Sequence, residues 1–214
     1  MTLLLLSAVI VLGVVRSALP KWRPLLVGGV HRNLALVALA FAAAHVVSAV
    51  LDPYAHLKIV DALVPFVSAY RPIWLGLGVV SAFLISFVMA TSWPVRRFSN
   101  LTWQWLHRMV YIAWVAAVLH AIGTGSDTRN PAYLVLDVTA VISVAVTFVG
   151  LRAVEGWRGR PLASAAAAAV TVVTVVLISV WLFTGPLQPG WARQAGPPDL
   201  LAHPPSSPGP TIQP

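Results

Sequence analysis

The chain has 214 residues, 58% of them hydrophobic and only 9% charged, and a formal net charge of +8. A soluble domain carries about 25% charged residues, so this chain cannot cover itself with polar surface and takes the bilayer as its solvent. It has no cysteine, which excludes disulfides, thiolate metal sites, iron–sulfur clusters and covalent c-type haem attachment; its positive charge sits in short loops, where it orients a membrane protein rather than binding nucleic acid.

A spanning helix needs about 20 mostly apolar residues, and six segments approach that length, which predicts an all-α, integral membrane six-helix bundle. The first covers residues 2–17, and no basic residue precedes its apolar run, which distinguishes it from a secretory signal. The second covers residues 30–51 and carries His31 and His45. A more polar stretch, residues 52–71, contains His56, Lys58 and Asp61, and its apolar residues between 57 and 66 suit a short interfacial helix. The third span covers residues 72–91, with Pro72 fitted to a first helical turn. A basic loop with Pro94, Arg96 and Arg97 leads to the fourth span, residues 103–122, which carries His107 and His120.

A turn-rich connection over residues 123–131 precedes the fifth span, residues 132–151. The sixth covers residues 161–183 after a short loop at 155–160. From Gly185 onward proline, glycine and serine dominate, so the chain reads as one helical domain over residues 1–184 and a disordered tail over 185–214. Arg16, Lys21, Arg23, Arg32, Arg96, Arg97, Arg108, Arg152, Arg158 and Arg160 fall on one side of this arrangement, and Lys58, Arg71, Arg129 and Arg193 on the other. The excess places the first set in the cytoplasm and both termini outside, in a multi-pass protein of the cell membrane. The second and fourth spans then run parallel, with His31 and His107 at the cytoplasmic level and His45 and His120 at the outer level.

Ionisable groups at membrane depth are costly and usually face a bundle interior with a partner. His31 and His45 are fourteen residues apart, about 21 Å along a helix and within about 40° of the same face. Four imidazoles, pairwise at matching depth, suit two stacked b-type haems, each six-coordinate and without an open site for oxygen. The bland alternative is hydrogen bonding between helices as packing glue. His107 and His120 are thirteen residues apart, which leaves them about 140° out of register on an ideal helix. A tightened 3₁₀ turn, a kink or rotated haem planes would have to absorb the difference.

The segments HRNLALVALAFAAAH, YRPIWLGLG, Thr91–Ser92 and WLHRMVYIAWVAAVLH, with arginine after the first histidine of each pair, resemble the ferric reductase-like transmembrane domain. That family includes the membrane parts of ferric reductases and NADPH oxidases and the haem subunit of the bacterial methionine sulfoxide reductase system. The resemblance implies an inner haem on His31 and His107 and an outer haem on His45 and His120, the same pairing that topology gives. It departs from the larger members in having no Gly-rich nucleotide fingerprint after the sixth span. The expectation is an oxidoreductase component with no flavin or nicotinamide site of its own. A separate flavoprotein or a quinol would feed it, and an extracytoplasmic redox protein, ferric iron or oxygen would receive the electrons. A quinol-linked cytochrome b subunit of a larger complex and a haem-free scaffold or transporter are the alternatives.

Arg32 and Arg108 follow the inner histidines and could bind haem propionates bidentately, or simply anchor the cytoplasmic boundary. Arg71 is the corresponding outer candidate. Trp114 lies between the two histidines of the fourth span, either bridging the haems or packing in the core. His56 and His203 read as solvated, Asp137 as interfacial, and Trp22, Trp93, Trp103 and Trp105 as a cytoplasmic aromatic belt.

Overall fold

A computed structural model describes residues 1–18, 24–52, 57–92, 99–124, 130–157, 161–188 and 190–191. They form seven helices and, among the described residues, no strand. These are α1 (Thr2–Ala18), α2 (Pro24–Leu51), α3 (Ile59–Leu63), α4 (Pro72–Ser92), α5 (Asn100–Thr124), α6 (Pro131–Trp157) and α7 (Pro161–Thr184). The basic loop with Arg96 and Arg97, the loop histidine His56, and the tail with Arg193 and His203 lie outside the described residues.

Local chemistry sets the boundaries. Helices α2, α4, α6 and α7 all begin on proline, whose fixed φ and missing N–H suit the first helical position. Asn130 Oδ1 accepts from the Ala132 N–H at 3.0 Å in front of α6, and Ser99 Oγ accepts from the Thr102 N–H at 3.2 Å in front of α5. Both are side-chain caps for donors that a helix start leaves orphaned. The polar stretch between α2 and α4 contains the short helix α3, where Asp61 Oδ2 accepts from the Lys58 N–H at 2.8 Å.

The described residues form seven helices, and a count of six spans is not confirmed among them. Four helical segments are long and apolar enough to cross a bilayer: Val27–Leu51, Pro72–Ser92, Asn100–Thr124 and Pro131–Leu151. Shorter apolar helices cover Thr2–Arg16 and Thr171–Thr184. Helix α1 has 17 residues and rises about 26 Å, the short end of what crosses a hydrocarbon core of about 30 Å, whereas α7 has 24.

Helix α1 nonetheless lies at the centre of the packing. It contacts α2, α5 and α6, while α4 pairs with α5 and α6 with α7. The buried core joins Leu3, Leu6 and Ile10 of α1 to Trp114, Val118 and Ile122 of α5, Ala140 and Val144 of α6, and Leu182 of α7. Helix α2 stands outside this core, packed mainly on α1. Large apolar side chains face outward on every long helix, among them Phe41, Phe83, Ile112, Val146 and Val176. In water such a surface would be an aggregation patch, and it fits lipid.

Candidate functional site

Helices α2 and α5 run side by side in the same direction, and their histidines meet twice. The rings of His31 and His107 have centroids 6.2 Å apart at an interplanar angle of 61°. Those of His45 and His120 lie 6.1 Å apart at 75°. Along α2 the two meetings are about 21 Å apart. Helix α5 is α-helical over its whole length, so no 3₁₀ turn brings His120 into register. Its ring instead lies against Gly78 of α4 and meets His45 from there.

Two of the four imidazoles are tied by Nδ1 to a backbone carbonyl of a neighbouring helix. His31 Nδ1 lies 3.0 Å from Val9 O of α1, and His120 Nδ1 lies 2.9 Å from Trp74 O of α4. A carbonyl only accepts, so both rings carry the proton on Nδ1 and leave Nε2 as the free lone pair. His107 Nδ1 lies 3.4 Å from Ser92 Oγ, and its face stacks on Trp103 with centroids 4.8 Å apart and planes 18° apart. The Trp103 Nε1–H is buried and finds no acceptor among the described residues. Trp103 is therefore part of the inner pair's surroundings and not just a member of a boundary belt.

The outer pair opens into a cavity of about 180 Å³. Its apolar wall is made by Val46, Ala49, Val50, Leu75, Val79 and Ala82, and its polar edge by Asp52, Asp61, Tyr70 and Thr124. Apolar walls with a few convergent polar groups are the usual lining of a small-molecule or cofactor site.

The arginines separate into two groups. Arg32 and Arg108 are exposed at the level of the inner pair, and the Arg108 guanidinium lies 5.3 Å from the Trp105 ring centre. Arg71 is 3% exposed and donates to the carbonyls of Gly123 and Thr124 at the end of α5. Its backbone takes φ 47° directly before Pro72, a residue that bars its predecessor from the right-handed helical region. The neighbouring Tyr70 lines the outer cavity. Trp114 sits in the core, and its Nε1–H donates to Ser7 Oγ of α1 at 2.8 Å.

Sequence reasoning missed the supports on α1 and α4: the carbonyls of Val9 and Trp74, and Gly13 and Gly78 beside them. Two glycines in the run Gly76-Leu77-Gly78 were the available signal. Among the described residues no group of three or more His, Cys, Asp or Glu converges, so the imidazoles stand in twos.

A membrane-embedded helical protein with two stacked pairs of facing imidazoles is what the geometry defines. Residues 1–118 match the family described as "Ferric reductase like transmembrane component", and the chain belongs to that family. It is also 33% identical over 82 residues to the protein-methionine-sulfoxide reductase heme-binding subunit MsrQ of Ralstonia nicotianae, a match covering 37% of this chain and 36% of that protein. The similarity thus spans about a third of that relative's length. No solved structure matches the chain.

Proposed function

We propose that the chain is a membrane electron-transfer component holding two b-type haems, one between His31 and His107 and one between His45 and His120. The observation that carries the reading is the ring spacing. An imidazole nitrogen bonds a transition metal at about 2.0 Å and lies about 1.1 Å from its own ring centre, so two imidazoles on opposite sides of one iron have centres about 6.2 Å apart. The observed separations are 6.2 and 6.1 Å. Direct hydrogen bonding between two imidazoles would draw them closer, to a nitrogen–nitrogen distance of about 3 Å.

The donor set agrees. Nδ1 of His31 and of His120 is occupied by a carbonyl, which is the usual second partner of a metal-binding histidine. Two imidazoles cannot complete the coordination of an ion, and a porphyrin contributes the remaining four nitrogens. Helix α2 is packed on α1 and not into the core, which leaves the interval between α2 and α5 for a flat group. Trp103 Nε1–H, Arg32 and Arg108 are the proposed partners for anionic propionates at the inner level. Arg71, next to Tyr70 at the cavity edge, is the proposed partner at the outer level.

A haem held by two imidazoles supplies one-electron transfer with no open site for oxygen. The protein's share is to fix the imidazoles at two depths and to keep water from them with apolar walls. Electrons would enter at the cytoplasmic level from a separate flavoprotein or a quinol and leave at the outer level to an extracytoplasmic acceptor. The basic-residue asymmetry supports that direction, and the name of the Ralstonia relative, a subunit of a reductase, supports a separate partner.

The test is the colour of the detergent-purified protein. A reduced-minus-oxidised b-type spectrum and a pyridine hemochrome value of two haems per chain are expected. His120→Ala should bring that value to one. A colourless wild-type protein, purified from haem-sufficient cells, would overturn the proposal.

A further inference from the structure

The two carbonyl-tied histidines are seated in the same way. Val9, whose carbonyl faces His31, and Gly13 are four residues apart on α1; Trp74, whose carbonyl faces His120, and Gly78 are four residues apart on α4. In an α-helix the carbonyl of residue i points along the axis toward the N–H of residue i+4. A ring that reaches this carbonyl from outside must cross the surface where the side chain of i+4 would stand. A Cβ built on Gly13 would lie 3.1 Å from His31 Cε1, and one on Gly78 would lie 2.5 Å from His120 Nδ1. The first contact is tight; the second cannot exist without displacing the ring. By contrast, a Cβ on Gly29 of α2 or Gly150 of α6 would meet nothing within 4 Å.

We propose that Val9–Gly13 and Trp74–Gly78 are two copies of one positioning device, a carbonyl with a notch one turn further on, which holds His31 and His120 with Nδ1 protonated and Nε2 turned free. This rests on the haem reading above and assigns Gly13 and Gly78 as positioning residues for one ligand of each haem. The arrangement is diagonal. The inner haem has its seated ligand on α2, supported by α1, and the outer haem has its seated ligand on α5, supported by α4. A hydrogen bond from Nδ1 to a carbonyl raises the basicity of the other nitrogen, so the device also sets the haem potentials toward the reducing side.

The experiment compares Gly78→Ala and Gly13→Ala with the controls Gly29→Ala and Gly150→Ala in the full chain, purified with its haem. Pyridine hemochrome, low-spin EPR signals, the two midpoint potentials and the melting temperature are read together. Gly78→Ala is expected to reduce two haems per chain to one and to remove one EPR signal. Gly13→Ala should keep both haems and raise one midpoint potential, and the controls should match the wild type. The deciding comparison places Gly78→Ala in a His120→Ala background. With the ring gone the three atoms nearest the added methyl are gone too, so it should lower neither melting temperature nor haem content further. Equal losses in both backgrounds would make Gly78 a helix-packing residue and overturn the proposal, as would wild-type haem content and potentials in Gly78→Ala. A wild type without haem would overturn the parent reading, and with it the ligand role of the notch. The melting cycle would still decide whether Gly78 seats His120.

Discussion

Ser7 is a hydroxyl in an otherwise apolar helix, 1% exposed, and its position is explained by two hydrogen bonds. It accepts from Trp114 Nε1 and donates to Leu3 O, each at 2.8 Å. This chain fastens α5 to α1 midway between the two histidine levels, and it ties the indole to the core. Ser7→Ala leaves a buried indole N–H without an acceptor, a loss of about 1–3 kcal/mol. A lower melting temperature in detergent is expected, with haem content retained, and an unchanged melting temperature would refute the assignment. Nothing in the sequence singles Ser7 out, because one serine in a leucine-rich run has no periodicity to reveal its partner. The meeting of His31 with His107 and His45 with His120, by contrast, was legible, since helical spacing and direction alone bring those rings to common depths. The route by which His120 gets there was not, because it depends on the absence of a Cβ at Gly78, on another helix.

At the scale of elements, the end of α5 and the start of α4 are held by one residue. Helix α5 ends with carbonyls that have no intrahelical donor, and Arg71, the residue before α4, donates to those of Gly123 and Thr124. A cation at a helix C-terminus also meets the negative end of the macrodipole. The left-handed backbone at Arg71 costs about 1–2 kcal/mol, and the buried charged hydrogen bonds offset it. His120 lies in the same last turn, with Thr124 Oγ1 donating to its carbonyl. Arg71→Ala should therefore loosen the last turn of α5 and cost about 1.5–3 kcal/mol. Arg71→Lys should recover only part, since an ammonium lacks the planar fork. Amide hydrogen exchange over residues 119–124 is the measurement, and wild-type protection in Arg71→Ala would contradict the clamp. Sequence position suggested a propionate partner for this arginine; burial against a helix end was not legible, because it requires knowing that α4 starts where α5 stops.

For the whole molecule, apolar patterning made the helices legible but not their roles. All the long helices are apolar around their circumference, so a hydropathy reading cannot tell the central α1 from the peripheral α2. The orientation in the membrane rests on charge alone. Ten of the 14 basic residues fall in the connections that join α1 to α2, α4 to α5 and α6 to α7 or at their edges, which the positive-inside tendency assigns to the cytoplasm. On that assignment the proposed electron path would enter at the His31–His107 level and leave at the His45–His120 level, whose cavity is bordered by Asp52 and Asp61. The absence of cysteine gives single-cysteine labelling no background. A membrane-impermeant maleimide should modify Ser126→Cys in intact cells, and Asn100→Cys only after permeabilisation. The reverse pattern would invert the bundle, turn the carboxylate-edged cavity toward the cytoplasm, and move the proposed point of electron entry to the His45–His120 level.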